Sequence, residues 1–289
     1  MKKVLFLALV AILLTGLLLS GCKSDTTTPA TTPPASTPTA TGTTTPTTAP
    51  TPTPTPTTDD RYGGNFTWIH NGGISAINPP PGGGTIIFRN LCPALEPLFR
   101  FNAQGVLEGF LVDSWETSSD LTSITLYLKQ GIKFHDGTDF DAEAVKYNLV
   151  ASYEANITGS ANLARIKSYD VIDKYTLRLI LTEYDIRVLT SLVGLNGIGV
   201  IASPTALQKP TTAENKAQTQ MVGTGPFIFD TWRADDFVRY TRNPNYWQTG
   251  LPYLDSITIR TIADLTVSVM SFRAGEAVSY THLRAHETV

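Results

Sequence analysis

Between Asp25 and Thr58 the chain is almost entirely threonine, proline and alanine, with no large apolar side chain. Such a stretch cannot bury enough surface to offset the entropy of ordering its backbone. It therefore divides the sequence: a packed core has to come from the residues C-terminal to it. Alternating Thr-Pro ("TTPTTAPTPTPTPTT") favours extended polyproline II. At about 3.1 Å per residue the segment reaches on the order of 100 Å. Residues 22–61 read as a disordered spacer that holds a domain away from an anchor. Ser/Thr-Pro stalks also accept O-linked sugars, so an unmodified linker and a glycosylated stalk both fit.

The anchor is predicted just upstream. Lys2 and Lys3 precede the apolar run "VLFLALVAILLTGLLL", and "LSGC" follows, ending at Cys22. A positive start, a short apolar run and small residues form a signal peptide over 1–21. The other reading is a plain N-terminal membrane anchor, for which the run is slightly short. "LSGC" resembles the lipobox of bacterial lipoproteins. That resemblance implies cleavage before Cys22, with acyl chains on its thiol and on the new amino end.

Cys22 and Cys92 are the two cysteines of the chain. With Cys22 lipidated, Cys92 has no partner, so a disulfide framework is excluded. Cys92 is expected as a small buried apolar residue rather than a nucleophile. The formal net charge is −3, with Lys and Arg scattered. This excludes the basic patch of a nucleic-acid binder.

From Tyr62 the composition changes. "NFTWI" predicts a short strand, and the Gly- and Pro-rich "HNGGISAINPPPGGG" predicts a loop. "ITLYLK" and "YTLRLILT" alternate apolar and polar residues, as half-buried strands do. Between them "FDAEAVKYNLVASYEA" predicts a helix. Asp141 is its N-cap, Glu143 lies in its first turn, and Val145, Leu149 and Tyr153 form its apolar stripe. "FIFDTW", "FVRYTRN" and "SITIRTI" predict further strands, and "DLTVSVMSFRAGE" a helix stopped by Gly275. Interleaved strands and helices make an α/β class.

No catalytic motif emerges. The chain lacks Gly-x-Ser-x-Gly, Ser-x-x-Lys and His-Glu-x-x-His, and "GTG" at 223–225 lacks the third glycine of a dinucleotide fingerprint. Neither an enzyme, a cofactor nor a metal is expected. "FHDGT" reads as a turn, with Thr138 or Asp139 launching the next helix and His135 packing rather than ligating. Trp115 is expected under a loop. "GTGPF" is expected to make a tight turn with amides free to face a cleft.

Two long stretches carry a resemblance: "LEPLFRFNAQGVLEGFLVDSWETSSDLTSITLYLKQGIKFHDGTDFDAEAVKYNL" and "VGTGPFIFDTWRADDFVRYTRNPNYWQTGLPYLDSITIRTI". Ser114-Trp115-Glu116, residues 133–137, 142–145 and 223–227, "RNPNYW" at 242–247 and Gly275-Glu276 follow a family's motifs in order. The chain is similar to extracytoplasmic solute-binding proteins of ABC transporters, in the peptide and nickel (family 5) group.

The resemblance implies a periplasmic-binding-protein-like α/β fold of type II, with ligand held between two lobes. It places the first lobe at 62–278, with an inserted subdomain at about 95–183, and leaves the second lobe missing. The run 279–289 has no family counterpart and reads as foreign sequence, which disposes of His282 and His286 as a metal pair. Ligand-binding candidates are Gly72, Gly73, Thr224, Gly225 and Tyr246, each with fold maintenance as the alternative role. The implied partners are a peptide or another small solute such as a nickel complex, ABC permease subunits, and a membrane through the lipid anchor. The protein is expected as a monomer on the extracytoplasmic face. The alternatives are a peptide-sensing signalling lipoprotein of the same fold and, less favoured, an exported hydrolase.

Overall fold

A computed structural model describes residues 61–72, 89–157, 159–194, 198–212 and 216–280. Cys22, the spacer, Gly73, His282 and His286 lie outside the described residues.

Two sheets organise the fold. The first has five strands: β1 (Asn65–His70), β10 (Phe227–Arg233), β11 (Phe237–Arg242), β12 (Ser256–Thr261) and β13 (Ser279–Tyr280), in the order β10-β11-β12-β1-β13. β10, β11 and β12 pair antiparallel, while β12 and β13 run parallel to β1 on either side of it. Ser279 and Tyr280, which the sequence reading set apart from the fold, thus form a short edge strand opposite Trp68 and Ile69.

The second sheet is antiparallel, with β5 (Val112–Thr117), β6 (Ser123–Leu128), β7 (Ile166–Asp173) and β8 (Thr176–Leu181) in the order β5-β6-β8-β7. Its burial follows the alternation in the sequence. Ile124, Leu126 and Leu128 of β6, and Leu177, Leu179 and Leu181 of β8, face the core. Two small pairs complete the fold: β2 (Glu96–Pro97) with β9 (Val200–Ile201), and β3 (Phe99–Phe101) with β4 (Leu107–Gly109).

Helix α1 (Ala142–Glu154) covers one face of the second sheet. Its cap is Asp141, whose carboxylate accepts the Ala144 N–H. Thr138 does not launch the helix; its hydroxyl donates to Asp136. The buried stripe also departs from expectation. Val145 and Leu149 are buried, but Tyr153 is 49% exposed and Ser152 takes the inward position. Steps of four residues advance about 40° past a full turn, so the third member swings to solvent.

The remaining helices are α2 (Arg187–Ser191), α3 (Pro204–Leu207), α4 (Lys216–Gln220) and α5 (Leu265–Arg273). α5 ends at Gly275, which adopts φ +77° and returns its N–H to Phe272 O. By surface area Cys92 is exposed rather than buried as expected. Its Sγ–H nonetheless donates to Arg89 O, and desolvation pushes the thiol up to about 11, away from nucleophilic reactivity.

Two hydrophobic cores result. One lies beneath the second sheet and α1, with Val188, Leu192, Ile198 and Ile201; the other lies beneath the first sheet, with Leu91, Leu95, Met221, Phe227 and Tyr240. Among the described residues the chain crosses between them repeatedly, and three of these crossings are bonded to one another. Leu95 belongs to one core and Leu98 to the other; Val200 and Ile201 divide likewise; Val222 packs on one and Phe227 in the other.

Candidate functional site

At these crossings lies Glu96, a 4% exposed carboxylate on β2. Its Oε1 accepts the Tyr246 hydroxyl at 2.6 Å. Its Oε2 accepts the Thr224 hydroxyl and the Trp247 indole N–H, each at 2.8 Å. None of the three donors is a cation. Burial pushes the carboxyl above its ordinary range, and the three hydrogen bonds pull part of the way back. The Tyr246 phenol is itself raised, by burial first and then by the adjacent carboxylate.

The segment 223–225 is gripped from the opposite side. His135 Nε2 bonds Gly225 O at 2.9 Å, and its Nδ1 accepts the Gly223 N–H at 3.4 Å. The His135 N–H donates to Gly223 O at 2.8 Å. Asn243 Nδ2 also donates to Gly225 O, at 3.0 Å. The Gly225 N–H is bonded to Ala94 O. The Gly223 and Gly225 amides, expected to face a cleft, are therefore engaged inside the protein. The two glycines permit this approach, since a Cβ on Gly223 would stand 2.1 Å from Ala94 O, and one on Gly225 2.6 Å from Pro93 O.

Thr224, Gly225 and Tyr246 are thus brought together around Glu96 and His135. Thr224 is wholly buried and Tyr246 half-buried. Gly72 lies apart, just past the C-terminal end of β1. Its N–H donates to His70 Nδ1 at 3.0 Å, and its carbonyl accepts the Thr261 hydroxyl at 3.3 Å.

Glu96, His135 and Asn243 are the residues of this cluster that the sequence reading passed over as ligands or hubs. A lone acid inside the apolar run "LCPALEPLF" was the available signal for Glu96. Trp115 packs edge-on against Phe99, with ring centroids 5.1 Å apart.

The clefts on the described surface include two of several hundred Å³. One, of about 600 Å³, lies between α1 and α3 and is lined by Asp139, Glu143, Tyr147, Glu154, Pro204 and Gln208 among others. The other, of about 490 Å³, lies between Lys129, Gln130, Asp113 and the Trp247 ring. Neither is lined by Gly72, Thr224, Gly225 or Tyr246. Among the described residues no group of three His, Cys, Asp or Glu side chains could hold a metal ion, and no helix is long and apolar enough to cross a membrane.

A mixed five-stranded sheet and a second, antiparallel sheet with helices packed on them make an α/β scaffold of the periplasmic-binding-protein kind. The model of the bacterial extracellular solute-binding proteins, family 5 (middle region), matches residues 106–288, and the chain belongs to this family. The matched range includes most of the stretch 279–289 that the sequence reading set apart. The chain is 39% identical over 182 residues to the glutathione-binding protein GsiB of Shigella flexneri serotype 5b, covering 62% of this chain and 34% of that one. Among solved structures it is similar to NikA of Brucella suis in complex with Fe(III)-EDTA, at 27% identity and a TM-score of 0.61, over 74% of this chain and 42% of that one. It also shares its fold with the dipeptide-binding protein of Pseudoalteromonas sp. SM9913 in complex with Met-Leu, at 19% identity and a TM-score of 0.66, over 78% and 48% of the two chains. The chain spans about a third of the length of the curated relative it matches.

Proposed function

We propose that the protein is the lipid-anchored solute receptor of an ABC importer, which captures a peptide and delivers it to a membrane permease. The family match over residues 106–288 carries this reading. The similarity to a glutathione-binding protein supports a short peptide as ligand. The work is capture, closure and release, with no covalent chemistry. Cys22 carries the acyl anchor, and the Thr/Pro spacer gives the domain reach from the extracytoplasmic face of the membrane.

Gly72 and, next to it in sequence, Gly73 remain the ligand-side candidates in this proposal. Gly72 follows the C-terminal end of a strand with parallel neighbours, where ligands of open α/β sheets bind. Thr224, Gly225 and Tyr246 act through the framework that holds the ligand-side surfaces in place.

Isothermal titration of the protein expressed from its own gene, against glutathione, a di- and oligopeptide panel and metal chelates, tests the proposal. Saturable binding of a peptide is expected. Binding of none of these ligands would overturn the transport reading, and product release from the panel would favour a hydrolase.

A further inference from the structure

The partners of His135 fix its protonation state by geometry. Gly225 O can only accept, so Nε2 carries a hydrogen; the Gly223 N–H can only donate, so Nδ1 presents its lone pair. The neutral Nε2–H tautomer is the form that makes both bonds. A second proton, on Nδ1, would point at the Gly223 N–H and turn an attraction into a repulsion.

The segment so held is one of the three mutually bonded crossings between the cores, and its central side chain, Thr224, donates to Glu96. We infer that His135 is an acid-sensitive clasp: protonation of its ring frees the 223–225 turn and loosens the junction between the two sheets. This goes beyond solute capture and does not depend on the identity of the solute.

The surroundings agree with that role. Burial lowers the ring's proton affinity; the Gly225 carbonyl and the Asp136 carboxylate act in the opposite sense. Asp136, on the same turn, is itself bonded to Ser203 at 2.6 Å and to Thr138, and feels the charge of Lys209. Across the segment stand Glu96 and, beyond it, the Tyr246 hydroxyl. A histidine with lowered folded affinity contributes stability that is complete above its unfolded pKa of about 6.5. That stability is lost as the pH falls from there through the folded value.

Hydrogen–deuterium exchange of the full chain at pH 7.5 and 5.0, corrected for intrinsic rates, tests the clasp. The peptide spanning 221–227 is expected to exchange several-fold faster at pH 5.0, with a ceiling of about thirtyfold set by the roughly 1.5 units between pH 5.0 and the open pKa of about 6.5. In His135→Gln the amide oxygen and nitrogen can replace both bonds without titrating, and the acid response is expected to vanish. A flat wild-type response, or an equal rise in the Gln variant, overturns the proposal. Should that variant fail to fold, ¹⁵N NMR of the wild-type imidazoles decides. A neutral Nδ1–H tautomer, or a His135 pKa at or above about 6.5, would equally overturn it.

Discussion

The Tyr246 hydroxyl donates to Glu96 Oε1 at 2.6 Å across a sequence separation of 150 residues. Between them the two residues tie β2, which passes from one core to the other, to the loop after β11. The Thr224 and Trp247 bonds close the same knot from other directions.

Replacing Glu96 by Gln sets an amide NH₂ among three donors and is expected to destabilise the fold by about 2–4 kcal/mol. Tyr246→Phe removes a single bond and should cost about 1–2 kcal/mol. Because the residues share one network, the double variant should fall short of the sum. Urea unfolding of the four proteins measures all three quantities, and strict additivity would show that the knot is not a unit.

The Glu96 carboxyl also predicts a pH dependence. Its folded pKa is raised, so its stabilising contribution is full below the unfolded value of 4.5 and is lost as the pH rises through the folded value. The difference in unfolding free energy between the wild type and Glu96→Gln should therefore shrink as the pH rises above about 4.5. A difference that grows over that range would contradict the raised affinity.

Gly225→Ala would drive a methyl into the carbonyls of Pro93 and Ala94. The colliding atoms are backbone and cannot rotate away, so a loss of about 2–3 kcal/mol is expected. A thermal melt within 1–2 °C of the wild type would show that the close approach is not required.

Asn148 joins α1 to the 200–203 crossing. Its Nδ2 donates to Ala202 O at 2.8 Å, and its Oδ1 accepts the Ala202 N–H at 3.1 Å. Asn148→Ala leaves both Ala202 groups buried without these partners and should cost about 2–4 kcal/mol. Asn148→Asp places a carboxylate against the same carbonyl and should cost at least as much. Denaturant midpoints at constant slope would check both variants.

Cys22→Ser tests the anchor. In the producing cell the wild-type protein should partition with membranes and carry the mass of its acyl chains. The serine variant should lose the acyl mass and leave the membrane fraction. An unchanged fractionation would remove lipidation from the proposal.

Local pattern made most of the elements legible. Alternation in "ITLYLK" and "TLRLIL" marked β6 and β8, Asp141 marked the start of α1, and Gly275 marked the stop of α5. These signals are periodic or local, so a single stretch contains them. The cluster was only half legible. Thr224, Gly225 and Tyr246 stood out through motif resemblance, but their partners did not. Glu96 and His135 are each a lone residue in sequence, and their meaning comes from donors 88–151 positions away. Tyr153 was misplaced because a four-residue step does not fix which way a side chain turns.

The sequence by itself determined where a core can form, the class of fold, the family resemblance and the lack of a catalytic signature. It did so because composition, periodicity and motif order are properties of the chain read in one dimension. The tertiary structure alone decided that three crossings converge between two cores, and that a buried carboxylate and a half-buried imidazole grip one glycine-flanked turn from opposite sides. Burial and hydrogen-bond complementarity between distant segments exist only once the sheets have assembled. It is the close approach of Gly223 and Gly225 to the backbone of residues 93–94 that brings those distant groups within bonding range.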